Sequence, residues 1–203
     1  MNLLIATGNR HKFREISAIL KSTRLVMISL KEWGDVPEVV EDGATFEANA
    51  IKKAVTLARF SGLWTLADDS GLEVDALGGE PGVWSARYAG EPSNDAANND
   101  KLLRKMMGVV DRRARFRCVI AVSDPNGVAR TVSGTCEGTL RNQLRGEGGF
   151  GYDPLFVPCG HDLTFAEIPA DIKNGLSHRA VALARAVQEW GGLLASGPGR
   201  WPE

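Results

Sequence analysis

The sequence has only three cysteines and three histidines among its 203 residues. Cys118, Cys136 and Cys159 form no C-x-x-C pair, and an odd number cannot be fully paired within one chain, so we expect a reducing, cytoplasmic setting. The three histidines share no close metal-ligand spacing, which argues against a zinc site built on histidine.

Long apolar runs and an excess of one charge are missing as well. The longest apolar runs, such as 119–122, are far shorter than the roughly 18 residues that span a membrane, so we expect no membrane anchor. Charged residues such as Arg10 and Glu15 near the start argue against a secretion signal. With 24 Lys and Arg against 25 Asp and Glu, the net charge is −1, which excludes a strongly basic surface for a nucleic-acid duplex.

The first half of the chain alternates apolar strand patterns with amphipathic helix patterns. Threonine and aspartate before an apolar stripe are typical helix N-caps, and glycine is typical after the last turn. The predicted elements are strands at 2–7 and at 64–67, the latter ending at Asp68, and helices from about 10 to Leu20, from the N-cap Thr45 to Gly62 and from the N-cap Asp95 to Gly108.

The second half predicts a hairpin, a short strand and a final helix. The hairpin pairs 115–123 with 128–139 around the turn at 124–127. A strand follows at 155–157, and the last helix runs from Ser177 through Leu194. Strands that alternate with helices early and pair as a hairpin later predict an α/β fold with a mixed sheet. We expect one domain over 1–195 and a frayed tail at 196–203, which contains two prolines and two glycines.

The segment TGNRHK at 7–12 lies where the first strand meets the first helix. The free backbone N–H groups of a helix start, together with the positive end of the helix dipole, favour a phosphate. The segment matches neither the P-loop nor the dinucleotide-binding glycine pattern. An ordinary turn at Gly8 and Asn9 with a solvated Lys12 is therefore the alternative.

Two groups of carboxylates accompany the predicted elements. Asp68 and Asp69 are adjacent and repel each other unless a cation lies nearby. Oxygen ligands without cysteine or histidine favour Mg²⁺ or Mn²⁺. Glu41 precedes the second helix, on which Asn49 and Lys53 share one face. The alternatives are two turn residues that point into water and a helix-capping role for Glu41.

Two later segments combine glycine, aromatic and cationic residues. Phe150 lies among glycines in GFGYDP at 149–154, where it could stack on a nucleobase or plug the core. The cationic segment KNGLSHR at 173–179 brackets a helix start and could bind an anion or simply be solvated. Ser70 and Ser177 lack the G-x-S-x-G setting of a hydrolase nucleophile, which argues against serine catalysis.

Five segments together resemble the inosine/xanthosine triphosphate pyrophosphatase family, enzymes that remove non-standard nucleotides from the nucleotide pool. They are TGNRHK at 7–12, EDGATFEANAIKKA at 41–54, ADDSGLEVDALGGEPGVWSARYAG at 67–90, GFGYDP at 149–154 and KNGLSHRAVAL at 173–183. The resemblance extends from residue 3 to about 194 and departs at 168–172, where the family has a more acidic, helix-forming stretch. It implies a homodimer of elongated α/β subunits, each with a mixed β-sheet, flanking helices and a substrate cleft between two lobes.

The resemblance implies Mg²⁺-dependent hydrolysis of ITP, dITP and XTP to the nucleoside monophosphate and pyrophosphate, with Mn²⁺ as a substitute metal. It assigns Asp69 as general base and metal ligand, Glu41 as second metal ligand and Asp68 as a supporting carboxylate. The implied substrate-binding residues are Thr7, Gly8, Asn9, Arg10, His11, Lys12 and Lys53 for the phosphates, Ser70 in the same pocket, and Phe150, Gly151, Tyr152, Asp153, Lys173, His178 and Arg179 for the base.

Selectivity for the base follows from its hydrogen-bonding edge. Donors from His178 or Arg179 with an acceptor from Asp153 fit the 6-oxo and N1–H groups of hypoxanthine and xanthine, whereas adenine presents the reverse pair and leaves buried groups unpaired. The rival functions are another Mg²⁺-dependent nucleotide phosphohydrolase and a non-catalytic nucleotide-binding module. Glu41, Lys53 and the aspartate pair argue against the latter, since a binding module needs no water-activating carboxylate.

Overall fold

A computed structural model describes residues 1–21, 23, 25–33, 35–196 and 201, with the backbone alone at 193–196. In chain order the helices and strands are β1 (Asn2–Ile5), α1 (Arg10–Leu20), β2 (Val26–Ser29), α2 (Phe46–Ser61), β3 (Trp64–Val74), α3 (Asp95–Lys105), β4 (Arg113–Ser123), β5 (Ala129–Leu140), β6 (Phe156–Pro158), α4 (Ala170–Leu176) and α5 (His178–Ser196). Within the described residues, no helix is long and apolar enough to cross a membrane.

The strands form one six-stranded sheet in the order β2-β1-β3-β4-β5-β6. β1 is parallel to both of its neighbours, so that Leu3 lies opposite Met27 on one side and Trp64 on the other. β5 and β6 are antiparallel. The sheet is therefore mixed, with helices flanking it, which confirms the α/β fold class. The substrate cleft implied by the resemblance stays a prediction.

The chain divides into two compact units. Unit 1 contains the described parts of Met1–Asp69, Cys118–Gly134 and Arg179–Glu203, and unit 2 contains Ser70–Arg117 and Thr135–His178. Strands β3, β4 and β5 contribute residues to both units. Each unit has its own apolar core.

The core of unit 1 includes three tryptophans. The Trp201 ring meets Trp64 edge-on at a centroid distance of 5.1 Å and Trp190 at 5.7 Å, and its Nε1 donates to Val128 O at 2.8 Å. The predicted frayed tail falls mostly on 197–200 and 202–203, which lie outside the described residues. Trp201 itself is buried, so one residue of that segment is part of the core.

The core of unit 2 is built around three phenylalanines. Phe116 and Phe156 meet edge-on at 4.8 Å, Phe116 and Phe165 stack at 5.9 Å, and Phe156 and Phe165 lie 5.1 Å apart. Phe116 comes from β4 and Phe156 from β6, so the cluster ties two non-adjacent strands to the loop that carries Phe165.

Local sequence signals predict several helix ends and the hairpin correctly. Thr45 is the N-cap of α2 and accepts a hydrogen bond from Ala48 N at 3.1 Å, and Gly62 ends the helix with φ of 69°. β4 and β5 lie next to each other in the sheet, and the turn between them is closed by a 3.0 Å bond from Asp124 N to Val128 O. These features are confirmed.

The predicted end of the third strand at Asp68 is wrong, because β3 continues to Val74 and carries Asp68 and Asp69 in its interior. Two observations explain the difference. The buried Asp68 carboxylate is paired with Lys12 and Arg179, so its charge is neutralised inside the sheet and does not need to reach water. Farther along, a Cβ at Gly71 would lie 2.5 Å from Gly82 O, so only glycine allows this close approach.

Three further features differ from the sequence predictions. The N-cap of α3 is Asn94, whose Oδ1 accepts from Ala97 N at 3.0 Å, and not Asp95. The sequence analysis missed β2, a four-residue strand at the edge of the sheet with a half-exposed pattern. It also missed α4, which begins directly after Pro169 within the stretch that departs from the family pattern.

Candidate active site

Asp68 lies at the centre of a buried ion cluster in unit 1. Lys12 of α1 forms a salt bridge with Asp68 Oδ1, while Arg179 Nε and Cys118 Sγ donate to Asp68 Oδ2, each at 3.0 Å. A second carboxylate, Glu15, binds the same guanidinium. Arg179 is 1% exposed. The chain thus buries this guanidinium between two carboxylates.

The pKa values in this cluster are set by its charges. Burial would raise the pKa of Asp68, yet Arg179 and Lys12 outweigh that effect and hold it well below its usual range. Burial disfavours the charged form of Lys12, but Asp68 outweighs it and raises the pKa of Lys12. Burial raises the pKa of the Cys118 thiol well above its usual value, so the thiol stays protonated and donates a hydrogen bond to Asp68 Oδ2. Asp68 is therefore an ionised, structural carboxylate.

Asp69, the next residue of β3, has different surroundings. Its Oδ2 accepts a 3.0 Å hydrogen bond from Asn49 Nδ2 on α2. Asn49 is itself fixed, because its Oδ1 accepts from Gly43 N at 2.7 Å. Burial, with a contribution from the charge of Glu41, raises the pKa of Asp69 to about 6, although Lys53 and Lys12 oppose the shift. Asp69 can therefore change protonation state near neutral pH.

Lys53 connects the carboxylates of this region. Its Nζ donates to Glu41 Oε2 and to the main-chain carbonyl oxygen of Asp68, both at 2.8 Å. Lys53 lies one helical turn after Asn49, so a single face of α2 reaches Glu41, Asp68 and Asp69. The shared helix face was visible in the sequence, and it is the signal that could have identified Asn49 as a site residue.

The phosphate-binding segment predicted at 7–12 forms the start of α1. Asn9 is the N-cap, and its Oδ1 accepts from His11 N at 2.8 Å and from Lys12 N at 3.2 Å. Asn9 N in turn donates to Thr7 Oγ1 at 3.1 Å. Residues 8–11 are exposed. A phosphate that binds these amides would therefore share or replace the side-chain oxygen of Asn9.

Glu41 and Asp69 are the residues of unit 1 whose oxygen atoms would suit a divalent cation. Among the described residues there is no group of three His, Cys, Asp or Glu side chains of the kind that holds a metal alone. Glu41 and Asp69 lie close enough for the charge of Glu41 to raise the pKa of Asp69. Mg²⁺ is usually bound through one or two carboxylates plus substrate phosphates and water, so this pair is sufficient.

In unit 2, the predicted base-binding segment 150–153 forms a tight turn. Phe150 N donates to Asp153 Oδ2 at 2.8 Å, and Asp153 N donates back to Phe150 O at 3.2 Å. Gly149 has φ of 72°, and a Cβ there would lie 2.0 Å from Asp153 Oδ2. Tyr152 is anchored by its hydroxyl, which donates to Ser85 O at 2.9 Å.

Lys173 and His178 flank aromatic rings of the same unit. Lys173 Nζ donates to Asp153 Oδ2 at 2.6 Å and lies 5.3 Å from the centroid of the Phe150 ring. The His178 imidazole stacks on Phe116 at 4.7 Å with an interplanar angle of 13°. Both side chains are buried. The arrangement offers aromatic surfaces together with a buried cation and carboxylate, which are the elements of a site for a planar polar group.

The structure brings the predicted site residues together in two groups. Unit 1 contains Lys12, Glu41, Lys53, Asp69 and Arg179, and unit 2 contains Phe150–Asp153, Lys173 and His178. Ser70 follows Asp69 in β3 and is half-buried. The roles that the resemblance assigns to these residues stay predictions. The roles of Glu15, Cys118 and Phe116 could not be predicted from the sequence, because their partners are distant along the chain.

Comparison with known proteins gives a consistent result. A model of the Ham1 family matches residues 3–189. A dITP/XTP pyrophosphatase of Desulforamulus reducens is 53% identical over 190 residues, which cover 93% of this chain and 94% of that protein.

Solved structures of Ham1 proteins are similar as well. The Ham1 protein of Staphylococcus aureus has 40% identity and a TM-score of 0.85, over 95% of this chain and all of that one. A HAM1 protein from Coxiella burnetii has 38% identity and a TM-score of 0.86, over 95% of this chain and 99% of that one. The similarity therefore covers both units.

Proposed function

The chain belongs to the Ham1 family, and on that basis we propose that it is a nucleoside triphosphate pyrophosphatase acting on non-canonical purine nucleotides such as ITP, dITP and XTP. One observation in unit 1 carries the proposal. Two adjacent carboxylates of β3 have opposite environments, with Asp68 locked as an anion between cations and the pKa of Asp69 raised to about 6. Paired acids with separated pKa values are typical of hydrolytic sites.

Asp69 is the general base of the proposed reaction. A base whose pKa lies near 6 is ionised at neutral pH and can still accept a proton from water, which is the range in which general-base catalysis is most effective. Asn49 holds one of its oxygens in place. The ionised carboxylate orients and deprotonates a water molecule for in-line attack on the α-phosphorus, with pyrophosphate as the leaving group.

Lysine side chains supply positive charge around this carboxylate. Lys53 bonds to Glu41 and to the Asp68 carbonyl oxygen, while Lys12 bonds to Asp68 at the start of α1. With the backbone and side chains of residues 7–11, they bind the triphosphate and stabilise the charge that develops on pyrophosphate. Ser70, the residue after Asp69 in β3, is also assigned to substrate binding. Glu41 and Asp69 would hold Mg²⁺, which when bound offsets the negative charges of the triphosphate and the carboxylates.

Base recognition is assigned to unit 2. The Phe150 ring provides a stacking surface, and Lys173, which bonds to Asp153, and His178 provide polar groups for a 6-oxo purine. Adenine presents a donor where hypoxanthine presents an acceptor, so ATP leaves such groups unpaired. Gly151 and Tyr152 complete the turn that carries Phe150 and Asp153.

For Arg179 we propose a role different from the one that the resemblance implies. Its guanidinium is buried and bound to Asp68 and Glu15. These contacts support a role in stabilising the Asp68 cluster next to the phosphate-binding residues, and binding of the base is the alternative role. The proposal keeps the homodimeric state and the cytoplasmic location that the sequence analysis expects.

The proposed bond cleavage is tested by hydrolysing ITP with Mg²⁺ in ¹⁸O-labelled water. Attack on the α-phosphorus places the label in the monophosphate and releases unlabelled pyrophosphate. A phosphatase, which is the rival enzyme, releases labelled orthophosphate and leaves the diphosphate. A nucleotide-binding module releases neither product. Either of the last two outcomes contradicts the proposal.

A further inference from the structure

Helix α3 contacts the Phe150–Asp153 turn through two side chains. Asp95 Oδ2 accepts a hydrogen bond from Gly151 N at 2.7 Å. Asn99 Nδ2 donates to Gly151 O at 2.8 Å and to the Asp95 carbonyl oxygen at 2.8 Å. Both peptide groups that flank the Cα atom of Gly151 are therefore bonded to the same helix. This glycine has φ of 62°, a conformation that favours glycine.

These bonds orient the residues on either side of Gly151. The preceding peptide leads directly to Phe150, and the following one leads through Tyr152 to Asp153. Asp153 in turn accepts bonds from Phe150 N and from Lys173 Nζ. A rotation of either peptide at Gly151 would move the Phe150 ring relative to the Lys173–Asp153 pair. The helix therefore fixes the two peptides at Gly151, while bonds within the turn join Phe150 to Asp153.

Neither contact is needed for the helix itself. Asn94, not Asp95, caps α3 through its bond to Ala97 N. Asp95 is exposed, so water could solvate its carboxylate if Gly151 did not. Asn99 is buried, and its Oδ1 has no hydrogen-bond partner among the described residues, so the two bonds of its Nδ2 set its orientation. Burying an amide oxygen without a hydrogen-bond partner costs free energy. That Asn99 keeps this orientation, in which its Nδ2 bonds to Gly151 O, points to a role in placing the turn.

We infer that Asp95 and Asn99 are positioning residues that set the selectivity for 6-oxo purines by fixing both peptides of Gly151. The inference rests on the proposed function, because it takes the Phe150–Asp153 turn to bind the base. It concerns residues that touch the turn and not the phosphate chemistry of unit 1. Their loss should therefore raise KM for ITP and leave kcat almost unchanged.

The adjacent residue provides a matched control. Asn98 lies on the same helix and is also buried, but its side chain binds the 86–89 segment, with Ala89 N donating to Oδ1 at 2.7 Å and Nδ2 donating to Ala86 O at 3.0 Å. Like Asn99→Ala, Asn98→Ala removes two bonds between a buried asparagine side chain of α3 and the main chain, here one accepted by Oδ1 and one donated by Nδ2. Only Asn99→Ala releases Gly151.

The primary test compares Asp95→Ala with Asp95→Asn. Asp95 is exposed, so both variants should fold. Asn retains an oxygen that can accept from Gly151 N, whereas Ala does not. In Asp95→Ala and Asn99→Ala we expect the ratio of kcat/KM for ITP over ATP to fall about five- to tenfold, mainly through KM for ITP. In Asp95→Asn and Asn98→Ala the ratio should stay within about twofold of wild type.

A second readout needs no substrate. Hydrogen exchange of the Gly151 amide, followed by NMR, should be at least about tenfold faster in Asp95→Ala than in wild type or Asp95→Asn, because only Ala removes the acceptor. Unchanged exchange in Asp95→Ala overturns the inference. So does an unchanged ITP/ATP ratio in that variant, or an equal loss of the ratio in Asn98→Ala. If wild type shows no preference for ITP, the proposed function has failed instead, and the exchange rates still decide whether Asp95 holds Gly151.

Discussion

Asn49 Nδ2 donates a 3.0 Å hydrogen bond to Asp69 Oδ2, and this bond joins the middle of β3 to the face of α2 that also carries Lys53. The other end of the Asn49 amide is held as well, because its Oδ1 accepts from Gly43 N at 2.7 Å. The carboxylate that we propose as the base therefore has a fixed orientation, and its neighbour Asp68 has a fixed charge.

Replacing Asp69 should abolish most of the activity without unfolding the protein. We expect Asp69→Asn to lower kcat for ITP by a factor of about 10² or more, since general-base catalysis contributes roughly 10²–10⁴. The amide oxygen of asparagine can still accept from Asn49, so the fold should persist. Steady-state kinetics and circular dichroism on one preparation check both points, and turnover close to wild type would remove Asp69 from this role.

The same variant should show a characteristic pH dependence of stability in EDTA. The folded-state pKa of Asp69, about 6, lies above its ordinary value of 3.8, so the protonated form favours folding. This contribution is complete below pH 3.8 and is lost as the pH rises through 6. Asn does not titrate, so the free energy of unfolding of Asp69→Asn relative to wild type should increase by about 1–3 kcal/mol between pH 4 and pH 7. Urea unfolding at several pH values measures it.

Asp68→Asn is the control for that experiment, because its stability relative to wild type should hardly change between pH 4 and pH 7 and should change below pH 4 with the opposite sign. The lowered pKa of Asp68 contributes stability above pH 3.8 that is lost as the pH falls further. Removing its charge leaves the buried Arg179 and the half-buried Lys12 without that partner, and we expect a loss of about 3–5 kcal/mol near pH 7. Equal pH profiles for the two variants would mean that the aspartates do not differ as described.

Which of these features could be foreseen depends on how local their causes are. Helix α2 was predicted from Thr45 to Gly62 because a cap, a periodic apolar stripe and a terminal glycine all lie within the helix. The repulsion between Asp68 and Asp69 was also evident. The cation that relieves this repulsion was not evident, because Arg179 is 111 residues away from Asp68 and nothing near either residue identifies the other. The length of β3 was missed for the same reason.

Replacing Arg179 decides between the two roles considered for it. Arg179→Ala leaves the buried carboxylate of Asp68 and the half-buried one of Glu15 without this cation, so we expect a loss of stability and slower hydrolysis of ITP and ATP by a similar factor. The ratio of their kcat/KM values should change by less than about threefold. A guanidinium bound to the 6-oxo atom would instead contribute a charge-assisted hydrogen bond, and its loss would lower the ratio by roughly ten- to a hundredfold. Parallel kinetics with both substrates distinguish these results.

Removal of divalent metal should stop the reaction. Without a cation, Glu41, Asp69 and the triphosphate repel one another, so we expect excess EDTA to reduce ITP turnover by a factor of about 10² or more. Added Mg²⁺ should restore it, and Mn²⁺ should do so in part, because both are bound by oxygen ligands. Pyrophosphate release with and without chelator is the measurement. Full turnover in EDTA would rule out the metal-binding role of these carboxylates.

The most direct test of the central claim is the initial rate of pyrophosphate release by the wild-type protein with ITP, XTP and ATP, each with Mg²⁺. Selective recognition of a 6-oxo purine predicts efficient turnover of ITP and XTP, one pyrophosphate per monophosphate formed, and kcat/KM for ATP lower by a factor of about 10² or more. Equal rates with ITP and ATP, or release of orthophosphate in place of pyrophosphate, would contradict the account.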